Sequence, residues 1–280
     1  MELFLEILKA IAIGVVQGIT EWLPISSTAH MALFDRVLGL DMTPEVYSVF
    51  EVVVQLGSIL AVIVLYFAML NPFAPSKTRE EKSGTWSLWL KILVASIPAA
   101  VVGFAIDDVL DAWLQGRTEL IVIAAALIVY GVAFIVMERL PKKERTDSVD
   151  KLSYKTVLGI GAFQMLALIP GTSRSGSTIL GASLLGCSRK MASEFSFFMA
   201  IPVMVGASGL RLVKYVAEYG LHFSVTEWIS MAVATVVAFA VSLLVIRFLL
   251  SFIRKHSFVA FGWYRIAVGI AVLACAFLFF

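Results

Sequence analysis

The sequence is poor in charge. Asp, Glu, Lys and Arg make up 15% of its 280 residues, where soluble domains carry about a quarter. With 60% hydrophobic residues and a mean hydropathy of +0.93, the chain has more apolar surface than a water-soluble fold could bury, and a bilayer is the solvent that suits it. Cysteine is nearly absent. Cys187 and Cys275 stand far apart and outside any CxxC or Cys/His pattern, so they read as small apolar residues in packed helices rather than as a disulfide framework or a zinc site. A strong basic excess is missing too: the net charge is +2, and the basic residues are scattered among apolar stretches, so nucleic acid is not expected as a partner. The opening MELFLEILKAIAIG lacks a basic n-region and a small-residue cleavage site, so it is expected to stay in the mature protein.

What is present is a series of long apolar runs. Six can cross a bilayer as helices, near 48–70, 86–106, 118–137, 192–214, 227–250 and 260–280, since about 20 residues suffice. Two other apolar regions are interrupted: 3–40 breaks at Pro24 in EWLPISSTAH, and 154–190 breaks at Pro170-Gly171 in IPGTSRSGS.

If the six spans alternate, 14 of the 22 basic residues fall on one side. They include Lys77, Arg79 and Lys82 in 71–85, and Arg139, Lys142, Lys143, Arg145, Lys151 and Lys155 in 138–155. The opposite side has Arg36, Arg117, Arg211 and Lys214 beside Asp107, Asp108 and Asp111. The positive-inside bias then makes 71–85 and 138–155 cytoplasmic. On this topology both interrupted regions become re-entrant hairpins entering from opposite faces, tolerated where their backbone is buried in protein or lines a polar cavity.

The hairpins also resemble each other. GVVQGITEWLPISS, from Gly14, aligns with GAFQMLALIPGTS, from Gly161, across a one-residue gap, placing Ser26-Ser27 on Thr172-Ser173. An acid follows each hairpin, Glu51 and Glu194. The expected fold is an all-α polytopic membrane protein of six transmembrane helices plus two re-entrant helical hairpins in an inverted repeat. Residues 1–137 form the first repeat, 154–280 the second, and 138–153 a cytoplasmic linker. Such repeats place their site at the shared interface near mid-membrane.

Polar residues in apolar segments are costly and need a reason. Gln17 and Glu21 are i and i+4 and share a helix face; Pro24 ends that helix; Ser26 is placed to cap the next, with Ser27 and His30 on its first turn. In the second break, Thr172, Ser173, Arg174, Ser175 and Gly176 offer backbone N–H groups at a helix start and a planar guanidinium, followed by Ser177 and Thr178. That set suits a phosphate. Arg174 needs an anionic partner, either a phosphate or a structural carboxylate such as Glu21 or Glu194. On these residues alone, a hydrolase and an anion transporter fit almost equally well.

The run QGITEWLPISSTAH resembles the (E/Q)xxxE-plus-PxSSTxH signature of the bacitracin-resistance type undecaprenyl-diphosphate phosphatases, and PGTSRSG resembles the second motif of that family. The resemblance extends over essentially the whole chain in motif order and span pattern. Many members have Glu at the first motif position, where this chain has Gln17.

The resemblance implies hydrolysis of undecaprenyl diphosphate to the monophosphate, recycling the lipid carrier for peptidoglycan synthesis and conferring bacitracin resistance. It further implies a bacterial inner-membrane location, a site opening to the outer face, and a divalent metal, Mg²⁺ or Ca²⁺, held by Glu21 and Gln17. The expected catalytic residues are Glu21, Ser27, His30 and Arg174, with Gln17, Ser26, Thr172, Ser173, Arg174 and Thr178 binding substrate. Ser27, with His30 or Glu21 as base, His30 itself, or metal-bound water are the three candidate nucleophiles. A homodimer stays open. The competing function is a transporter or flippase of an anionic lipid, which needs the cation but has little use for a nucleophile and base. Elsewhere the simpler readings hold: His222 and His256 solvated, Glu51 and Glu194 at hydrated interfaces, Gln55 and Gln164 in helix–helix bonds or lining the pocket, and Gly14 and Gly18 in close helix packing.

Overall fold

The computed structural model describes residues 2–114, 116–141 and 146–278. Lys142, Lys143, Arg145 and residues 279–280 of the last expected span lie outside these, as do the side chains of Arg36, Asp107, Asp108 and Asp111. The described chain is helical: α1 (Glu2–Thr20), α2 (Ser27–Leu38), α3 (Pro44–Leu65), α4 (Phe67–Leu70), α5 (Arg79–Trp113), α6 (Gly116–Arg139), α7 (Tyr154–Met165), α8 (Arg174–Leu184), α9 (Arg189–Tyr219), α10 (Val225–Lys255) and α11 (Val259–Leu278).

Local sequence sets these ends. Thr43 caps α3 ahead of Pro44 at its first position, Ser188 caps α9, and Thr78 with Glu81 and Ser224 with Glu227 form capping boxes on α5 and α10. The six expected spans fall within α3–α4, α5, α6, α9, α10 and α11. The 35 residues of α5 extend it to about 50 Å, well past the apolar run that reveals it, because charged end turns carry no hydropathy signal. Among the described residues, seven helices are long and apolar enough to cross a membrane, one more than the six expected spans. The seventh is α1, the first arm of the 3–40 hairpin. Its 19 residues make it longer than the 12-residue α2 that returns from the break.

Both interrupted regions close on themselves. At the base of the first, Lys9 Nζ donates to Gly39 O at 2.7 Å and Asp41 N to Glu6 Oε2 at 3.3 Å. At the second, Thr146 N donates to Gly186 O at 3.2 Å and Ser188 N to Thr146 O at 2.9 Å. Helices α3 and α9 are antiparallel: Ser208 meets Val52 at one end, and Tyr66 meets Glu194 and Phe198 at the other. The two bases therefore lie at opposite ends of this pair. Helices α6 and α11 are also antiparallel, with Gly131 against Gly262 and Arg117 over Phe277.

By contrast α1 runs alongside α10 in the same direction, as α7 does along α5. These contacts are close. A Cβ on Gly14 or Gly18 would sit 2.6 or 2.8 Å from the Ala234 or Ala238 carbonyl, and one on Gly161 2.4 Å from the Ala95 carbonyl. The helix-packing role expected for Gly14 and Gly18 is thus met by backbone-to-backbone approach.

Gly18→Val is expected to destabilise the fold by about 1–3 kcal/mol through overpacking. Gly206→Ala, with open space around it, should leave the melting temperature in detergent unchanged or slightly raised.

Candidate active site

The two breaks meet. Ser175 Oγ, at the second tip, donates to the carbonyls of Glu21 and Leu23 at the first, both at 3.2 Å. Each tip turns into its returning helix through a serine of positive φ, Ser26 at 76° and Ser173 at 72°, the only non-glycine cases among the described residues. Such backbone costs on the order of 1–3 kcal/mol and persists where surrounding contacts hold it. Both serines cap: Ser26 Oγ accepts Ala29 N at 3.3 Å, and Ser173 Oγ accepts Gly176 N at 3.1 Å. The sequence alignment is therefore corrected by one residue beyond the prolines. Ser26 matches Ser173, and Ser27 matches Arg174, because Gly171, at φ 87°, adds a residue to the second tip.

Glu21 is buried, and its carboxylate holds the two tips together. Oε1 accepts Arg174 Nη2 at 3.0 Å, while Oε2 accepts Ser27 Oγ at 2.9 Å and Gln17 Nε2 at 3.1 Å. Ser27 opens α2 and Arg174 opens α8, so the first residue of each helix bonds the same carboxylate. Two positive helix ends converge on it. Of the two carboxylates open to Arg174, Glu21 is the partner. Glu194 lies at the start of α9 beside Tyr66 and Lys190.

Arg174 Nη1 also donates to Ser196 O at 2.7 Å, its guanidinium lies 5.6 Å from the centre of the Trp22 ring, and its buried Nε–H has no partner among the described residues. Thr178 braces this arrangement, bonding Ser196 Oγ at 2.6 Å and Arg174 O at 2.9 Å. Ser196 itself carried no signal in the sequence beyond its place in an apolar run.

His30 is engaged elsewhere. Its Nδ1 lies 2.7 Å from Ser26 O, and its Nε2 lies 2.8 Å from the Tyr264 hydroxyl. A carbonyl only accepts, so Nδ1 carries a proton, and Nε2 is left to bond the Tyr264 hydroxyl. Of the two bases considered for Ser27, Glu21 is the one bonded to it.

Behind the tips lies Arg265, fully buried on α11, which sequence reasoning overlooked although a lone arginine in an apolar span was its signal. Its Nη1 donates to Pro24 O at 3.0 Å, and its Nη2 to Gly171 O and Thr172 O at 2.9 Å each. Gln164, the counterpart of Gln17, is buried with neither amide atom bonded, and Leu168 stands where the first hairpin has Glu21. One hairpin thus supplies the carboxylate and the other the guanidinium. A cavity of about 450 Å³ borders both tips, lined by Thr28, Glu51, Leu168, Pro170, Leu114 and Arg211 among others, which places Glu51 beside the first hairpin.

Glu21 and Gln17 carry oxygens of the kind Mg²⁺ and Ca²⁺ prefer; their mutual bond is made by the Gln17 amide nitrogen and a Glu21 oxygen, so an ion held by both would replace that bond. No group of three or more His, Cys, Asp or Glu among the described residues could hold a metal.

A family model described as Bacitracin resistance protein BacA matches residues 10–271. A protein of Enterococcus faecalis named undecaprenyl-diphosphatase is 50% identical over 279 residues, covering 99% of each chain. Undecaprenyl-diphosphatase 1 of Clostridioides difficile is 51% identical over 280 residues, covering 99% of this chain and all of its own. Undecaprenyl-diphosphatase of Acetivibrio thermocellus is 51% identical over 271 residues, covering 96% and 97%.

Arg174→Met alone strands a buried carboxylate and is expected to cost about 3–5 kcal/mol. Adding Glu21→Gln should recover about 1–3 kcal/mol of that. Unfolding of the single and double variants in detergent measures the coupling, and strictly additive effects would contradict it.

Proposed function

The chain belongs to the bacitracin resistance protein BacA family, and from that premise we infer that it is an undecaprenyl-diphosphatase. It is a multi-pass membrane hydrolase that converts undecaprenyl diphosphate to undecaprenyl phosphate and inorganic phosphate, returning the carrier to peptidoglycan synthesis and conferring bacitracin resistance. The observation that carries the site assignment is the triple engagement of Glu21 by Arg174, Ser27 and Gln17.

In this reading the Glu21 carboxylate occupies the place an anion would take between two helix N-termini. The diphosphate competes with it for Arg174, whose fork of donors suits phosphate oxygens. Arg174 and the N–H groups of the Ser173 turn then offset charge developing on the transferred phosphoryl group.

Released from the guanidinium, Glu21 accepts the Ser27 hydroxyl proton as Ser27 Oγ attacks the terminal phosphorus. The bond to the bridging oxygen breaks, and undecaprenyl phosphate leaves. The Glu21 proton passes to the departing phosphate; Glu21 then takes a proton from water, whose oxygen attacks the phosphoserine phosphorus, releasing phosphate, and that proton returns to Ser27 Oγ. The Gln17 amide and the Ser26–His30–Tyr264 chain of bonds keep Glu21 and the start of α2 in place. A divalent ion bound through Glu21 and Gln17 would supply neutralising charge to the diphosphate.

The basic excess of 71–85 and 138–155 supports an inner-membrane orientation with these segments cytoplasmic and the first hairpin facing outward. A charged thiol reagent added from outside should then spare a cysteine introduced at Gly84. The antiparallel α3–α9 and α6–α11 pairs, with parallel α1–α10 and α5–α7, support inverted repeats of 1–137 and 154–280.

Purified protein is expected to release phosphate from undecaprenyl diphosphate. Ser27→Ala, Glu21→Ala and Arg174→Ala should each lower kcat by about 10²-fold or more. Ser27→Ala at full rate, or direct entry of labelled water with no phospho-enzyme, would remove the serine step. Transport of the lipid without phosphate release would favour the carrier reading.

A further inference from the structure

The ion pair at the tips leaves Arg174 electrostatically spent: its charge and that of Glu21 cancel at 3.0 Å. Gln17, Ser26, Ser27, Thr172 and Ser173 add no charge. Among the described residues bonded to the tips, Arg265 is the cation without a carboxylate partner. Its described contacts are the three carbonyls of Pro24, Gly171 and Thr172 and the face of Tyr130 at 5.3 Å. None of the described ion pairs includes it.

A guanidinium that is fully buried without a carboxylate is expensive to keep. The fold nonetheless makes room for it. A Cβ on Gly176 would come 3.1 Å from Arg265 Nη1, so the last glycine of PGTSRSG clears the guanidinium's path. Its three bonds reach both hairpins, across sequence separations of 241, 94 and 93 residues. They also point the tip carbonyls toward α11, turning electronegative oxygens away from the opposite side. The neighbouring residue, Tyr264, holds His30.

We propose that Arg265 is a positioning residue that locks the two tips in register and keeps a cation directly behind them, favouring a diphosphate head group. The proposal rests on the tips being the diphosphate site. Once the substrate has displaced Glu21 from Arg174, Arg265 remains as the cation that balances the added phosphate charge from behind the backbone.

The test separates charge from scaffolding. Arg265→Lys keeps the charge but cannot bridge three carbonyls; Arg265→Met removes both. Inorganic pyrophosphate serves as a competitive inhibitor of undecaprenyl diphosphate turnover. Arg265→Met is expected to raise its inhibition constant about tenfold or more, and Arg265→Lys to stay within about threefold of wild type. Equal inhibition constants in the two variants would overturn the charge role.

Should Arg265→Met fail to fold, Tyr130→Glu sets a carboxylate against an intact Arg265. It should weaken pyrophosphate about tenfold relative to Tyr130→Gln, and no difference between these two again overturns the proposal. Wild-type protein that releases no phosphate from the lipid refutes the function itself. Wild-type turnover with all four variants binding pyrophosphate alike refutes only the role of Arg265.

Discussion

One carboxylate at the meeting point of two helix N-termini is the constraint on which the rest of the structure depends. Glu21 accepts from the first residue of α2, Ser27, and the first residue of α8, Arg174. These helices belong to hairpins whose bases lie at opposite ends of the α3–α9 pair. In an apolar medium a helix break exposes backbone donors that nothing else can satisfy. Bringing two breaks together lets each supply partners for the other. The polar cluster is thus a consequence of the topology as much as a chemical endowment.

The same contact explains why the surrounding framework is so closely fitted. Positive φ at Ser26 and Ser173 is held by caps, by Ser175 bridging to the Glu21 and Leu23 carbonyls, and by Arg265 behind. Glycine faces on α1 and α7 bring α10 and α5 to backbone distance, which fixes where each first arm delivers its tip. The halves differ where the chemistry demands it. Gln17 has Glu21 one turn on, whereas Gln164 has Leu168, so acid and guanidinium come from different hairpins and can meet only across the interface. In the proposed mechanism, a displaced carboxylate beside a serine hydroxyl is a base delivered by substrate binding.

Much of this was legible in the sequence. The motifs QGITEWLPISSTAH and PGTSRSG marked both tips, Gln17 and Glu21 at i and i+4 do bond each other, and Ser26 does cap. The apolar runs revealed the long helices, though not their charged end turns. What was hidden was tertiary. Tyr264 reaches His30 across 234 residues and Arg265 reaches Pro24 across 241, and no local pattern reports such contacts, although an arginine inside an apolar span was a signal left unread. The one-residue shift that pairs Ser27 with Arg174 was hidden because matching Pro24 to Pro170 forces a gap, whereas Gln17 to Ser26 and Gln164 to Ser173 are nine residues apart in both hairpins. The length of α1 was masked by treating its run and the break as one interrupted region.

The central claim is that the diphosphate head group replaces the Glu21 carboxylate between the two helix starts. An experimental structure with a non-hydrolysable polyprenyl methylene-diphosphonate tests it most directly. The account requires the diphosphonate within hydrogen-bonding distance of Arg174 and Ser27, with the Arg174–Glu21 contact opened. A head group bound elsewhere, with that ion pair intact, would contradict it.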